Sequence, residues 1–339
     1  MSRIFIVLVL LSYYTLLFAQ GETQIVKKDT SYWQHGGFAQ LTFNQASFTN
    51  WAAGGQNSLA LTVTGNYFDK YLKGKHSWDN SIDGAYGFLK YKGQSLRKSD
   101  DQLAIQSKYG YDLAKNKIYW STLLNFKTQF SDGYNYPDDS TVISTLLSPG
   151  YLVLSTGIDY KPSDWFSLYF SPATGKVTFV TNQNLANQGA FGVDAAVVDE
   201  SGAIITEGKN VRAEFGAYLN LGINKDIIKN VNIDSKADLF MNYTDKDKTL
   251  RGNVDVNWVT TITMKINAYL TTSLIMHLIY DHDVDIALLD DDGNQLNSQR
   301  PDGTYFADVD GNPIPLSGPR TQFKQVFGLS LSYKFQPKK

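Results

Sequence analysis

The sequence contains no cysteine, only nine prolines and no excess of one charge. Without cysteine it can form no disulfide, no thiol nucleophile and no cysteine-ligated zinc or iron–sulfur centre. The 31 Lys and Arg residues nearly balance 33 Asp and Glu residues, so the formal net charge of −2 gives no reason to expect a nucleic-acid partner. After residue 20 the chain also lacks any apolar run of about 18 residues, which excludes a transmembrane helix there.

The first twenty residues have the composition of an export signal. Arg3 precedes the apolar run "IFIVLVLLSYYTLLF", and Ala19 and Gly21 offer small residues for cleavage. This arrangement predicts a signal peptide over residues 1–20, with the cut between residues 19 and 21. The mature chain is therefore expected to be exported.

Alternation of apolar and polar residues is present along most of the mature chain. In "KIYWSTLLNFKTQF", Trp120, Leu124 and Phe126 share one face, while Ser121 and Asn125 share the other. This period of two predicts β-strands. Twelve such segments are found, at about 36–45, 57–71, 76–91, 101–114, 117–131, 149–160, 165–172, 207–222, 230–244, 253–265, 267–281 and 321–335.

The links between these segments alternate between short and generally longer. A transmembrane up-and-down barrel sorts its loops in this way, with short periplasmic turns and long extracellular loops. We therefore predict an all-β fold: an antiparallel barrel of about twelve strands over residues 36–335. Residues 21–35 would form a short periplasmic segment and residues 336–339 a periplasmic tail. A soluble β-sandwich would show the same alternation, but the signal peptide, the even strand count and the loop sorting favour the membrane.

Charged residues lie inside several predicted strands, on the face opposite the apolar one. A water-filled or polar lumen explains them. The lumen charges predicted in this way are Asp79, Asp83, Lys108, Asp112, Lys127, Arg212, Glu214, Asp234, Lys236 and Asp238. Their signs nearly cancel, which predicts ion pairs across a narrow or closed interior rather than a pore lined by one sign.

Aromatic residues at the ends of predicted strands indicate the edges of the membrane. The predicted interface aromatics are Phe48, Trp51, Trp120, Tyr333 and Phe335. Amphipathic aromatics collect at the headgroup level in such barrels. The loop that holds the first two could instead fold inward as a partial plug. The last strand, "VFGLSLSYKF", resembles the C-terminal insertion signal read by the outer-membrane assembly machinery, although "QPKK" follows its final aromatic.

Four stretches together carry a resemblance to a known family. They are "SFTNWAAGGQNSLAL" (47–61), "GKHSWDNSIDGAYGFLK" (74–90), "LLNFKTQFSDGYNYPDD" (123–139) and "PSDWFSLYFSPATGKVTFV" (162–180). The chain resembles a Bacteroidota outer-membrane family that is known only as a domain of unknown function. The resemblance implies a β-barrel in the outer membrane of a Gram-negative bacterium. It implies no reaction and supplies no catalytic residues.

No catalytic, cofactor-binding or metal-binding residues are predicted, and the protein is not expected to be an enzyme. The sequence Asp281-His282-Asp283 suggests the Asp and His of an outer-membrane protease. Adjacent residues on a strand point to opposite faces, however, so these three cannot form a catalytic pair. The "DDDGNQ" and "DVDGNP" stretches lack the first acidic ligand of a calcium-binding loop and are interpreted as turns, with loose divalent binding as the alternative.

Two functions remain open. The first is a narrow channel or transporter for small polar solutes. The second is a non-conducting structural or accessory barrel that docks partner membrane proteins or lipoproteins through its extracellular loops. Outer-membrane lipid and the assembly machinery are expected partners in either case.

Overall fold

The structure is a computed structural model that describes residues 32–48, 56–136, 138–199, 201–288, 296–299, 304–305, 313 and 316–335. The predicted signal peptide, Trp51 and the tail 336–339 lie outside the described residues, as do the calcium-like stretches 290–295 and most of 308–313. In chain order the strands are β1 (Trp33–Ala46), β2 (Ser58–Lys73), β3 (His76–Tyr91), β4 (Leu96–Ala114), β5 (Ile118–Thr128), β6 (Gly133–Tyr134), β7 (Val142–Ser144), β8 (Gly150–Ser163), β9 (Phe166–Phe179), β10 (Val197–Val198), β11 (Ile204–Thr206), β12 (Val211–Ile228), β13 (Val231–Asn242), β14 (Val254–Lys265), β15 (Leu270–Tyr280), β16 (Asp285–Ala287), β17 (Ser317–Pro319) and β18 (Gln322–Phe335). A short helix, α1 (Gln183–Asn187), and a 3₁₀ turn (Ala190–Gly192) lie between β9 and β12.

Twelve of these strands close into one antiparallel barrel. Around the barrel they follow the order β1-β18-β15-β14-β13-β12-β9-β8-β5-β4-β3-β2. The six short strands pair in twos within the loops. Each of the twelve segments predicted from the alternation corresponds to one barrel strand, so the predicted fold is confirmed.

Five links of two to four residues lie at one end of the barrel, here called the short-turn end, whereas the four-residue link 92–95 lies at the other end. Residues 74–75, 115–117, 164–165, 229–230 and 266–269 form these five links. The link after β4 places Lys115 and Asn116 at φ of 49° and 60°, a backbone that suits a tight hairpin between right-twisted strands. The opposite end, with the links 129–149, 180–210 and 281–321, is the long-loop end.

Several strand boundaries differ from the sequence-based expectation by three residues or more. β12 runs over Val211–Ile228 rather than 207–222, so most of the predicted turn after it belongs to the strand. β1 begins at Trp33, so residues 33–35 belong to the barrel rather than to a separate periplasmic segment. β4 begins at Leu96 rather than at residue 101, and only residues 92–95 link it to β3. The stretch "RKSDD" is polar on both faces, which hides a period of two. β9 continues to Phe179 rather than ending at residue 172.

A β-bulge explains why the end of β9 was missed. The stretch "SPATG" looks like a turn, but the strand passes through it with a register shift against both of its neighbours. Ser171 holds the bulge: its hydroxyl donates to the carbonyl oxygen of Thr156 at 2.7 Å and accepts from the N–H of Ala173 at 3.2 Å. A bulge of this kind adds a residue and bends a strand without ending it.

The two faces of the barrel wall show that it spans a membrane. On β5 the inward residues Tyr119, Ser121 and Leu123 are buried, whereas the outward residues Trp120 and Leu124 are 51% and 40% exposed. Large apolar side chains are exposed in the same way around the outside of the barrel. A soluble sandwich buries its apolar face, while a closed barrel with an apolar exterior satisfies its backbone internally and meets lipid. Among the described residues, no helix has the length and apolar character needed to cross a membrane.

Candidate pore constriction

Ion pairs inside the barrel connect strands that are not neighbours in the wall. The Nζ–carboxylate distances are 2.8 Å for Lys108–Asp159, 2.7 Å for Lys161–Asp79, 2.6 Å for Lys127–Asp238, 2.8 Å for Lys176–Asp255, 3.5 Å for Lys236–Asp83 and 3.0 Å for Lys324–Asp100. Each pair skips at least one intervening strand. The side chains therefore cross the interior instead of lying along its wall.

The most deeply buried pair connects β4 to β8. The Lys108 side chain is 6% exposed and that of Asp159 is 1% exposed. Lys161 lies 3.3 Å from the same carboxylate and 2.7 Å from Asp79 on β3. Two cations and two anions thus form a compact group that compensates its own charge, as burial in a low-dielectric interior requires.

An apolar cluster fills the lumen next to this group. Leu123, Tyr169, Tyr218 and Phe240 are all at most 5% exposed, and the first two are 0% exposed. They lie on the inward faces of β5, β9, β12 and β13, where the alternation predicts polar side chains. Sequence reasoning missed this cluster, because Leu123 breaks the polar pattern of its face only once and tyrosines suit either face. The interior is therefore filled by side chains on the side formed by β5, β9, β12 and β13.

Lys127 and Asp238 form a pair beside the apolar cluster. Asp238 on β13 accepts hydrogen bonds from the Tyr218 hydroxyl and from Asn220 Nδ2 at 2.7 Å, in addition to Lys127 Nζ at 2.6 Å. Three donors around one carboxylate fix its position. This pair lies against the apolar cluster, since Tyr218 belongs to both.

Lys236 and Asp83 span the barrel at its widest separation. They lie on β13 and β3, which are six strands apart around the ring in either direction. Asn66 also donates to Asp83 at 2.7 Å. The side chains are 54% and 36% exposed, so water reaches this bridge, unlike the buried pairs. A water-accessible ion pair contributes at most about 1 kcal/mol to stability, so separating the two side chains costs little free energy.

One cluster of described side chains near the long-loop end of the lumen contains more carboxylates than cations. Lys176 contacts Asp255 and Glu214 at 2.8 and 3.6 Å. Arg212 contacts Glu214, Asp283 and Asp245 at 3.1, 2.9 and 3.9 Å. These contacts join two cations to four carboxylates, a formal excess of two negative charges. The field of this cluster favours small cations.

The segment 180–210 is attached to this cluster through Arg212. Its guanidinium Nη1 donates to the carbonyl oxygen of Gly192 at 3.0 Å while it pairs with Asp283. A Cβ on Gly192 would lie 2.2 Å from Nη1 of Arg212, and its φ is +77°, so only glycine fits here. Val180, Leu185, Ala186 and Val193 give the segment a small apolar core of its own. The segment is therefore a folded unit at the long-loop end.

Asp194 braces the same segment to the loop after β13. Its carboxylate pairs with Lys209 at 2.8 Å and with Lys246 on the neighbouring loop. Hydrogen bonds from Lys209 and then Lys246 lower the pKa of Asp194 from 3.8 to about 2. The carboxylate is therefore ionised at any pH that the folded protein meets in ordinary buffers.

We expect the Asp194 brace to persist in mild acid. A lowered pKa contributes stability above the ordinary value of 3.8, and this is lost only as the pH falls through about 2. Limited proteolysis should cleave the segment 180–210 faster in Asp194→Asn than in the wild type, at pH 7 and at pH 4 alike. Glu207→Gln, an exposed change in the same segment, is the matched control. A difference present at pH 7 and absent at pH 4 would contradict the prediction.

Two of the predicted lumen charges lie outside the ion pairs described above. The Asp112 carboxylate accepts hydrogen bonds from the backbone N–H groups of Ala114 and Asn116 and so caps the turn after β4. Asp234 accepts from Asn224 Nδ2 at 2.6 Å near the short-turn end. The other eight take part in the pairs given above.

The predicted interface aromatics lie at strand ends where they are described. Trp120, Tyr333 and Phe335 point outward near the short-turn end and are 51%, 63% and 38% exposed. Phe48 follows β1 at the other end, is 38% exposed, and donates its backbone N–H to Asn57 Oδ1. The four described aromatics thus lie near the two ends of the barrel strands, where a girdle is expected.

The Asp281-His282-Asp283 sequence lies in the turn that follows β15, whereas the sequence-based expectation placed it on a strand. Asp283 is engaged by Arg212, and the His282 ring lies 3.4 Å from the Tyr280 hydroxyl. Within the described part of the chain, no group of three or more His, Asp or Glu side chains is placed to hold a metal ion.

Part of the chain matches the model of a known protein family. Residues 43–134 match the model of a family described as "Protein of unknown function (DUF3078)". The resemblance to a domain of unknown function is thereby confirmed. The match covers β2 to β5, including Asp83 and Lys127. No curated protein matches the chain significantly.

Solved structures with a similar fold are barrels of the bacterial outer membrane. The translocator domain of the autotransporter NalP from Neisseria meningitidis is 8% identical, with 94% of this chain and 92% of that chain covered and a TM-score of 0.33. The COG4313 outer membrane channel from Pseudomonas putida F1 is 10% identical, with 94% and 100% covered and a TM-score of 0.37. A Pseudomonas aeruginosa FadL homologue is 10% identical, with 89% of each chain covered and a TM-score of 0.26. Similarities this low carry no argument about function.

Proposed function

We propose that this protein is a narrow channel or transporter for small polar solutes in the bacterial outer membrane, and that it is not an enzyme. The observation that carries the proposal is the Lys236–Asp83 bridge. It crosses the full ring at 3.5 Å, yet both of its side chains remain in contact with water. A bridge that is hydrated on both partners can open and close without exposing a dry core, unlike the Lys108–Asp159 pair.

The apolar outer wall and the lengths of the loops support this location and an orientation with the long loops outside. Outer-membrane barrels place short turns in the periplasm and long loops outside, so the segment 180–210 is proposed to lie at the cell surface. The outward side chains of β18, among them Phe327, Leu331 and Tyr333, form the apolar strand face expected of a substrate of the outer-membrane assembly machinery.

Charge near the outer mouth supports a preference among solutes. Four carboxylates against two cations favour small cations over anions there. The solute that we propose is therefore small and polar, and neutral or positively charged.

Conductance measurements in planar bilayers test the proposal. The wild type should conduct weakly and favour cations. Lys236→Ser should raise the conductance and strengthen the cation preference, because it opens the bridge and leaves Asp83. Asp83→Ser should also raise it but shift the reversal potential toward anions, because Lys236 is left. Lys229→Ser, in the exposed turn after β12, should behave as the wild type.

A different result would favour the second candidate function. If the wild type and both bridge variants fold correctly but none of them conducts, the barrel is closed. The segment 180–210, folded and braced at the outer mouth, would then be the surface that docks partner membrane proteins or lipoproteins.

A further inference from the structure

The barrel is closed unevenly where the first and last strands meet. β1 and β18 share seven register pairs, from Gly37–Phe335 to Phe43–Leu329, whereas every other neighbouring pair of barrel strands shares at least ten. β18 remains paired with β15 up to Gln322, and β1 remains paired with β2 up to Ala46. Among the described residues, therefore, 322–328 of β18 have a pairing partner on one side only.

The unpaired stretch lies in the half of the wall toward the long-loop end. Seven residues of strand extend over about 23 Å, which is most of the apolar band of such a barrel when the strand is tilted. Outward side chains of this stretch, Phe323 and Phe327, are 61% and 60% exposed. The seam is thus paired near the short turns, and among the described residues β18 has no pairing partner on its β1 side at the level of the lipid chains, although the Asn44 side chain still lies against Gly328.

An apolar strip lines the lumen directly behind this seam. Ile275 on β15 lies opposite Val326 on β18 in the register. Ile279 and Val259 continue the strip on the inward faces of β15 and β14, and all four side chains are half-buried. This aliphatic strip is on different strands from the buried cluster of Leu123, Tyr169, Tyr218 and Phe240.

Polar groups lie beside the strip at the same seam. Lys324 Nζ reaches across to Asp100 on β4 at 3.0 Å, and His277, opposite Lys324 in the register, bonds Asn257 at 2.9 Å. A molecule that lay here would meet hydrocarbon through the seam, aliphatic side chains on the strip and charged groups at its other end. Apolar surroundings at one end and charged groups at the other suit an amphiphilic molecule.

We propose that the half-open β1–β18 seam is a lateral opening through which the hydrocarbon chain of a membrane amphiphile reaches the lumen. The chain would lie on Ile275 and Val326, and its polar end would meet Lys324 and Asp100. A free strand edge is costly in hydrocarbon, and water from the polar lumen solvates it here. The opening connects the lipid bilayer to the lumen through the wall, so the amphiphile does not have to move along the barrel axis to reach the strip.

Fluorescence quenching by lipid tests the opening, and the absence of native cysteine makes single labels possible. Val326→Cys carrying bimane, in vesicles of phospholipid brominated on its acyl chains, should be quenched nearly as much as the lipid-facing Phe327→Cys. Val153→Cys is the matched control, because it is also an inward, half-buried valine but lies on β8, which is paired on both sides and is opposite β18 in the ring. Its quenching should be severalfold weaker. Equal, weak quenching at positions 326 and 153 would overturn the proposal.

Hydrogen exchange on the unmodified protein gives a second, label-free measurement. Alternate amides of 322–328 should exchange many-fold faster than those of Leu329–Leu331, which are paired on both sides. Uniform protection across β18 would mean that a strand covers the edge, from this chain or from a partner protein, and would also overturn the proposal.

Discussion

Asp159→Ala should destabilise the barrel by about 3–5 kcal/mol, because it leaves the Lys108 ammonium buried without its partner. Lys161 cannot compensate for the loss, since it is a cation and is already paired with Asp79. The free energy of unfolding, measured by urea titration of the protein folded in lipid vesicles, reports the effect.

Two controls separate burial from charge. Asp83→Ala removes a carboxylate from a hydrated pair and should cost at most about 1 kcal/mol. The double variant Lys108→Met with Asp159→Leu replaces both buried charges by apolar groups and should recover most of the lost stability. Similar losses for Asp159→Ala and Asp83→Ala would show that the interior is hydrated throughout.

Val63→Arg should disrupt assembly far more than Thr64→Arg, although the two side chains are adjacent and nearly equal in shape. Val63 points outward and is 52% exposed, so an arginine there faces the lipid chains at a cost of roughly 2–4 kcal/mol. Thr64 points into the lumen between Gln40 and Ala85, where an arginine can reach water. The folded fraction, read from heat-modifiable migration on gels, measures the difference.

An arginine at the neighbouring Gly65 gives no comparable test, because replacing a glycine also changes the freedom of the backbone. Equal folded fractions for Val63→Arg and Thr64→Arg would mean that the outward face of β2 does not meet lipid. The assignment of the two faces would then fail for the whole barrel, since the faces of all strands are linked by the register.

The barrel could be predicted from the sequence because its two faces meet different solvents. Along β2, Leu59, Leu61 and Val63 meet lipid, and the polar or small residues between them meet the lumen, so the period of two is plain. The same contrast recurs in each barrel strand, and the number and order of strands follow from it. The stretch 96–100 of β4 was missed because neither of its faces is apolar.

The lumen contacts could be predicted in kind but not in detail. Balanced charge suggested pairing, yet which partner each charge finds depends on strand stagger and on which strands face each other across the ring. Lys236 and Asp83 are far apart in the chain and meet only because β13 and β3 are opposite. The cluster around Tyr169 had no sequence signal, since an inward tyrosine in a polar row looks like any other amphipathic residue.

The seam has a consequence for how the chain could be rearranged. Along the chain each barrel strand pairs with the next, and β18 returns to β1 with Gly37 opposite Phe335. The strands therefore form a cycle in which the position of the ends is arbitrary. A circular permutant that joins Phe335 to Trp33 by a short linker, with new ends in the four-residue link 92–95, would keep every register pair. Such a chain would move the break in the backbone away from the seam while leaving the seam itself in place.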